Sequence, residues 1–235
     1  MSEAELNGVR IHYVEAGAGL PYVFCNGLGG NSAGFVRDDL AWYAERFRTV
    51  AWDQRGLGQS GAADKYSLPL YAADLAALVD HLEIERAVVH GVSWGGVLTQ
   101  RFALDYPERC AAIVLDSTSS EVNTGASENW YARGEIARLG PDATAGRELA
   151  PAFEGHATVS SAPPAPAIPA EHVDSYVAQA RATASLREHP MTPYLGKIEC
   201  PALIVAGGSD AVAGAGGSVV MSRQMPHAQL EVLNG

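Results

Sequence analysis

Short apolar runs alternate with segments of helical spacing along the first half of the chain. The apolar runs lack strict period-2 alternation, which is typical of strands in a parallel sheet covered on both faces. The pattern predicts strands over 10–16, 21–25, 49–52, 87–90 and 111–115 and helices over 33–46, 68–82 and after position 93. Gly17 to Gly19 is predicted to form a hairpin-like turn between the first two of these strands. This alternation predicts an α/β fold with a doubly wound, mostly parallel sheet.

The pattern changes after Asp116. No buried-strand run is found between 117 and 199, where segments 130–139 and 172–186 have helical spacing around the Pro-rich stretch 163–166. Strand-like runs return at 201–206 and 229–233. We therefore predict a core formed by 1–116 and 200–235 and a helical cap inserted over 117–199. A disordered linker between two domains is the alternative.

Composition limits the possible partners. The chain has 235 residues, 47% of them hydrophobic, and a formal net charge of −11 without a basic cluster, so a soluble globular enzyme is expected and nucleic acid or an anionic membrane surface is disfavoured. Cys25, Cys110 and Cys200 are odd in number and adjoin apolar runs, which predicts reduced core residues and a cytoplasmic location. No leader or membrane-spanning segment is predicted.

The most informative motif is Gly91-Val92-Ser93-Trp94-Gly95-Gly96, which joins an apolar strand to a helix. A serine between small residues at a sharp strand-to-helix turn presents its hydroxyl at the edge of the sheet, next to the positive end of the helix. Ser93 is therefore the predicted nucleophile. An ordinary Gly-rich connection is the alternative, but it does not explain a helix that begins directly at Trp94.

Three further blocks occur with this motif: 26–30 (Asn-Gly-Leu-Gly-Gly), 53–60 (Asp-Gln-Arg-Gly-Leu-Gly-Gln-Ser) and 207–210 (Gly-Gly-Ser-Asp). Together, in this order, they resemble the α/β-hydrolase superfamily, in its esterase- and lactonase-like branch with a serine nucleophile. The resemblance covers essentially the whole chain. It implies that the backbone amides of Leu28 and Trp94 form the oxyanion hole and that Asp210 is the catalytic acid.

Some positions leave alternatives open. Asn26 stands where the family usually has histidine, and Asp116, at the end of the preceding strand, is the second candidate for the acid. Asp53 and Arg55 are expected to brace loops beside the site. A phosphate-binding loop at 26–30 is disfavoured because no lysine follows in the pattern that such loops require.

A catalytic base is the one group that the resemblance implies and for which no matching residue is found. The resemblance implies a histidine soon after the last strand, but the sequence ends at Gly235. His90 is expected in the core beneath the nucleophile, and His156 and His189, in the predicted cap, could substitute only by an unusual fold-back. The expectation is a truncated hydrolase whose histidine lies just past Gly235; the alternative is a chain that has lost its base and most of its turnover.

The predicted reaction is hydrolysis of an ester, lactone or related acyl bond of a small molecule through an acyl-enzyme. The serine disfavours the aspartate-nucleophile branches, the epoxide hydrolases and haloalkane dehalogenases. A proline iminopeptidase-like enzyme, a carbon–carbon bond hydrolase and a non-catalytic ligand-binding protein are the alternatives. Neither a metal nor an organic cofactor is predicted, and the sequence leaves the oligomeric state open.

Overall fold

A single eight-stranded sheet organises the chain. The computed structural model describes residues 2–139, 168–210 and 212–234. The strands are β1 Ser2–Leu6, β2 Val9–Ala16, β3 Pro21–Cys25, β4 Arg48–Trp52, β5 Ala87–Val92, β6 Cys110–Asp116, β7 Ala202–Gly207 and β8 Ala228–Leu233. Their spatial order is β1-β2-β4-β3-β5-β6-β7-β8. β1 and β2 run antiparallel to their neighbours, while β3 to β8 pair in parallel, which confirms the predicted fold class.

Helices pack on both faces of this sheet. They are α1 Ser32–Asp38, α2 Leu40–Ala44, α3 Leu68–His81, α4 Trp94–Asp105, α5 Thr124–Leu139, α6 Val173–Ser185 and α7 Gly214–Gln224, with short 3₁₀ helices at Pro107–Arg109, Ala170–His172 and Thr192–Lys197. On β3, Val23 and Cys25 belong to the main core cluster with α3 and α4, whereas Phe24 packs with Phe35 of α1. Because successive strand residues point to opposite faces, this split places helices on both sides.

The connection at Gly17 to Gly19 was predicted incorrectly. It is not a hairpin, because β4 lies between β2 and β3 and pairs antiparallel with β2. The glycines are needed for another reason: Gly17 has φ +82°, and a β-carbon there would lie 2.2 Å from the Phe47 carbonyl oxygen. The chain therefore turns tightly against the end of α2 and leaves room for a third strand.

The helical boundaries also differ from the prediction. The segment predicted as one helix over 33–46 forms two helices, because Asp39, with the non-helical φ of −124°, separates α1 from α2. Strand β1 and helix α7 were not predicted at all. β1 pairs with β2 across the turn at Asn7 and Gly8, both with positive φ.

Between β6 and β7 the described residues form helices. The two longest, α5 and α6, pack against each other. The Pro-rich stretch 163–166 and His156 lie outside the described residues, and the cap boundaries at 117 and 199 stay a prediction. Within the ranges that the structure describes, no helix is both long and apolar enough to cross a membrane.

His90 of β5 is buried beneath the nucleophile motif, as predicted. Its Nδ1 is hydrogen bonded to the Tyr22 hydroxyl at 2.7 Å, and its Nε2 is buried without a partner in the described structure. Burial lowers the pKa of His90 to about 4, and the nearby Asp116 carboxylate only partly opposes this shift. The imidazole is therefore held neutral.

This buried histidine predicts an acid-sensitive stability. The unfolded chain binds a proton at His90 near pH 6.5 while the folded chain does so only near pH 4, so stability falls as pH drops through this window and the loss is complete below it. At about 1.4 kcal/mol per pKa unit, the loss is on the order of 3 kcal/mol. Urea unfolding at pH 7, 5.5 and 4 should show a shallower decline for His90→Gln than for the wild type. Parallel declines would contradict the assignment.

Candidate active site

Ser93 occupies a strained turn between β5 and α4. Its backbone angles are φ 54° and ψ −115°, in a region that residues with a side chain seldom adopt. Hydrogen bonds fix the turn on both sides: the Ser93 amide donates to the Asp116 carbonyl at 2.9 Å, and the Ser93 carbonyl accepts from the Gly96 amide at 2.9 Å and the Thr118 hydroxyl at 2.7 Å. The side chain of Ser93 is half-buried, not packed in the interior.

The glycines around Ser93 are required by close backbone approach. A β-carbon at Gly91 would lie 2.1 Å from the Gly95 carbonyl oxygen, and one at Gly95 would lie 2.0 Å from the carbonyl oxygen of Cys25. At Gly96 the obstacle is the Thr118 side chain, 2.4 Å away. These three positions therefore have no room for a side chain, as the sequence predicted for the small residues of a nucleophile turn.

We expect Gly95→Ala to destabilise the protein by about 2–3 kcal/mol, because rigid backbone must move to admit the methyl group. The matched control is Gly34→Ala in α1, where an added β-carbon meets nothing within 4 Å. That substitution should stabilise by about 0.5–1 kcal/mol through helix propensity. Denaturant midpoints measure both effects, and an equal response of the two variants would contradict the close approach at Gly95.

The turn opens into a cavity of about 520 Å³. Leu28, Ser93 and Trp94 all line it. The remaining wall comes from the segment after β6, from α5, α6 and α7, and from the start of α4: Val97, Ser117, Thr118, Ser119, Glu121, Val122, Asn123, Ala126, Trp130, Thr183, Leu186, Val212, Ala213, Gly216, Gly217 and Val220. The structure thus brings together three of the four predicted site residues.

The loop after β3 forms a tight turn beside the serine. The Gly30 amide donates to the Gly27 carbonyl at 3.0 Å, and Gly29 has φ +66°. A β-carbon at Gly27 would lie 3.7 Å from the Ser93 β-carbon, so this loop runs beside Ser93. Within the described part of the chain, neither the Leu28 nor the Trp94 backbone amide donates a hydrogen bond.

Asp210 lies in the turn after β7, at the same edge of the sheet. Its Oδ1 accepts from the amides of Val212 at 2.8 Å and Ala213 at 3.0 Å, two residues of the cavity wall. The carboxylate of Asp210 itself is not part of that wall. Asp116, the second candidate, accepts a hydrogen bond from the Ser117 hydroxyl and lies close enough to His90 to affect its pKa.

Among the described histidines, none lines the cavity. His12 is buried against Asp53 and His172 contacts the Gly58 carbonyl, while the side chains of His189 and His227 are exposed. No described histidine is therefore placed beside Ser93 in this cavity. The described residues also contain no group of three or more metal-binding side chains arranged to hold an ion.

Asp53 and Arg55 brace the neighbouring loops, as predicted. Asp53 accepts hydrogen bonds from the amides of Ser32 at 2.6 Å and Gln59 at 2.8 Å. Arg55 forms a buried bidentate pair with Asp74, with contacts of 2.5 and 2.6 Å. Neither side chain lines the cavity.

Two buried glutamines beside the site were missed. The sequence pattern predicts no role for Gln54 beyond its motif and none for Gln179, although both are fully buried. The signal in the sequence was an amide side chain in the apolar stretch around Gln179 of α6. Such a residue must find partners inside the fold.

The fold of the chain is that of a known protein family. The α/β-hydrolase fold family model matches residues 21–235. The chain is 28% identical over 223 residues to 3-oxoadipate enol-lactonase 2 of Acinetobacter baylyi, covering 90% of this chain and 79% of that protein. The crystal structure of the enol-lactonase from Burkholderia xenovorans superimposes with a TM-score of 0.80 at 21% identity, covering 99% of this chain and 91% of the other.

A second group of relatives matches only part of the chain. An epoxide hydrolase of Caballeronia sordidicola is 37% identical over 110 residues, which is 46% of this chain. The match spans 33% of that protein, so it concerns about a third of the relative's length.

Proposed function

The chain belongs to the α/β-hydrolase fold family, and we propose that it is a serine hydrolase that cleaves an ester or lactone bond through an acyl-enzyme intermediate. Its relatives are hydrolases, and the chain is a hydrolase of this fold. One observation carries the finer proposal: the half-buried Ser93 lies in a cavity wall with Leu28 and Trp94, whose backbone amides donate no hydrogen bond to any described residue. This is the constellation that acyl transfer requires.

In the proposed reaction the Ser93 hydroxyl attacks the acyl carbon while a base accepts its proton. The carbonyl oxygen becomes negatively charged, and the Leu28 and Trp94 amides stabilise it. The C–O bond to the alcohol breaks as the alcohol is protonated, and water then releases the acid from the serine ester. The described histidines do not line the cavity, so we propose a base from outside the described residues. We propose that Asp210 orients it, since the carboxylate lies at the sheet edge next to the cavity wall.

The cavity wall supports a small, mostly apolar acyl substrate. Its apolar side chains include Val97, Val122, Trp130, Leu186 and Val220, and its polar groups are mainly hydroxyls and an amide. The likeness to an enol-lactonase, over 90% of this chain and 79% of that protein, favours lactones among the possible esters. Glu121 is an acidic residue of the wall, so a substrate with an amine, as in an iminopeptidase-like reaction, is the second candidate.

Labelling by a fluorophosphonate tests the proposed nucleophile. We expect one phosphonyl adduct, located on Ser93 by peptide mass spectrometry and lost in Ser93→Ala. Ser119→Ala, which removes another hydroxyl from the same cavity, should keep the adduct. Labelling elsewhere, or none at all, would contradict the proposal.

A substrate panel then separates the reaction classes. Enol-lactones, short aryl esters, proline arylamides and epoxides are incubated with the wild type, and products are quantified. We expect lactone or ester turnover and no epoxide opening, because an aspartate nucleophile is absent from the turn at position 93. Turnover of the arylamide alone would favour the amine-binding alternative.

A further inference from the structure

We infer that Gln54 and Gln179 are positioning residues for the oxyanion hole, and that through Gln179 the helix α6 sets the geometry of the loop that carries Leu28. The inference rests on the proposed function, which assigns the oxyanion to the Leu28 and Trp94 amides. Neither glutamine lines the cavity, so each acts through the backbone that it holds.

The two side chains form a continuous buried network. Trp94 Nε1 donates to Gln54 Oε1 at 2.8 Å, and Gln179 Nε2 donates to the same oxygen at 2.9 Å. Gln54 Nε2 donates to the Asn26 carbonyl at 3.2 Å. Gln179 Oε1 accepts from the Gly29 amide at 2.8 Å. The network therefore touches both segments that supply the proposed oxyanion donors.

The positions of these bonds around Leu28 are informative. Gln54 binds the carbonyl of Asn26, and Gln179 binds the amide of Gly29, so the backbone is fixed on both sides of the Leu28 amide. The peptide groups before and after that of the Leu28 amide are thereby restrained from rotating. An amide that must stabilise a transient oxyanion works best when its direction is set before the reaction.

The side-chain amides of Gln54 and Gln179 can form these hydrogen bonds only with their oxygen and nitrogen placed as they are; exchanging the two atoms would break the bonds. The Gln54 oxygen accepts two hydrogen bonds while its nitrogen donates one, and Gln179 donates with its nitrogen and accepts with its oxygen. A carboxylate at position 179 could still accept from Gly29, but it would face the Gln54 oxygen without a proton to donate. Glutamine is therefore specifically required, beyond its size.

A second contact ties α6 to the same loop. The Tyr176 ring packs against Gly29, where a β-carbon would lie 2.6 Å from it, and Leu28 packs on the apolar cluster formed by Ala137, Tyr176 and Val177. Thr183 and Leu186, at and beyond the end of α6, line the cavity, so this helix borders both the cavity and the loop that carries Leu28.

The test is kinetic. Gln179→Met keeps the volume of the side chain and removes its hydrogen bonds. We expect kcat to fall by about 10–100-fold with KM changed by less than about threefold, because oxyanion contacts are strongest in the transition state. Gln54→Met should behave alike, and the double variant should lose much less than the product of the two factors. Gln224→Met, an exposed glutamine of α7, is the matched control with unchanged kcat.

Two further readouts distinguish positioning from general stability. Hydrogen exchange of the Gly29 amide should speed up in Gln179→Met but not in Gln224→Met, whether or not a substrate is known. For Gln179→Glu, the ratio of its kcat to the wild-type kcat should rise as pH falls, since the protonated acid can again donate to Gln54. A loss of folding stability alone would give neither pattern.

The outcomes separate the two proposals. Unchanged Gly29 exchange, or a kcat for Gln179→Met within about twofold of the wild type, overturns the positioning role while Ser93-dependent turnover stands. Wild-type protein without turnover and without a Ser93 adduct overturns the proposed function, and the catalytic part of this inference falls with it.

Discussion

Replacing Ser93 by alanine is expected to lower kcat on the best ester or lactone substrate by at least about 10³-fold. In the proposed reaction the Ser93 hydroxyl is the atom that forms the acyl-enzyme, and it lies in the cavity wall at the strained turn before α4. KM should change little, because the binding surface is kept. Initial rates of purified variants measure this, with circular dichroism to verify that the fold is retained.

The control is Ser119→Ala in the same cavity. It should leave kcat within about threefold of the wild type, because its hydroxyl is not part of the proposed chemistry. A Ser93→Ala variant that retains more than about a tenth of the wild-type kcat would contradict the nucleophile assignment.

The same pair of variants tests the alternative of a ligand-binding protein. Such a protein would bind lactones with similar affinity before and after Ser93→Ala and would release no product in either form. Calorimetric titration alongside the rate measurements gives both quantities. Binding without wild-type turnover would favour a receptor over an enzyme.

The nucleophile turn could be predicted because its small residues form a short motif between a strand and a helix. Only the contact of Gly91 with Gly95 lies within that motif; Gly95 and Gly96 are constrained by Cys25 of β3 and by Thr118 after β6, which the sequence alone does not indicate. The parallel sheet follows from apolar runs separated by helices, which is also a local pattern. Strand order is not local: β4 inserts between β2 and β3, and the Gly17 turn alone gave no sign of it.

The hydrogen-bond network of Gln54 and Gln179 could not be predicted from such local sequence patterns. Gln54 and Gln179 are 125 positions apart and meet only because α6 packs over the loop after β4. Their sequence neighbourhoods predict burial but not partners. Helix α7 was missed for another reason: its Gly-rich start, Gly214 to Gly217, is typical of a loop, and tertiary packing on β7 overrides that preference.

A second large effect is expected at the buried pair of Arg55 and Asp74. Asp74→Asn should lower the free energy of unfolding by about 3–5 kcal/mol, because it leaves the Arg55 guanidinium buried without a compensating charge. The side chains are 4% and 0% exposed, and Arg55 also donates to the Lys65 carbonyl at 3.0 Å. The bidentate contact with Asp74 raises the pKa of Arg55. Without that contact the guanidinium still stays protonated, because arginine does not lose its proton in proteins.

The matched control is an exposed ion pair of the same type. Arg181 and Glu135 lie 2.7 Å apart at the surface, 43% and 37% exposed. Glu135→Gln should cost less than about 1 kcal/mol, because water screens both charges. Urea unfolding of the two variants measures the contrast, and similar losses would show that burial does not govern the strength of the Asp74 pair.

The position of this pair links its stability to the active site. The Arg55 carbonyl accepts a hydrogen bond from Ser175 of α6, next to Tyr176, and Gln54 precedes Arg55 in the chain. If Asp74→Asn loosens this segment, the folded protein should also lose kcat in proportion to faster Gly29 exchange. The double variant Arg55→Met with Asp74→Leu removes both charges and should regain most of the stability. Recovery of stability without recovery of kcat would show that the segment's geometry, more than its folding energy, supports the reaction.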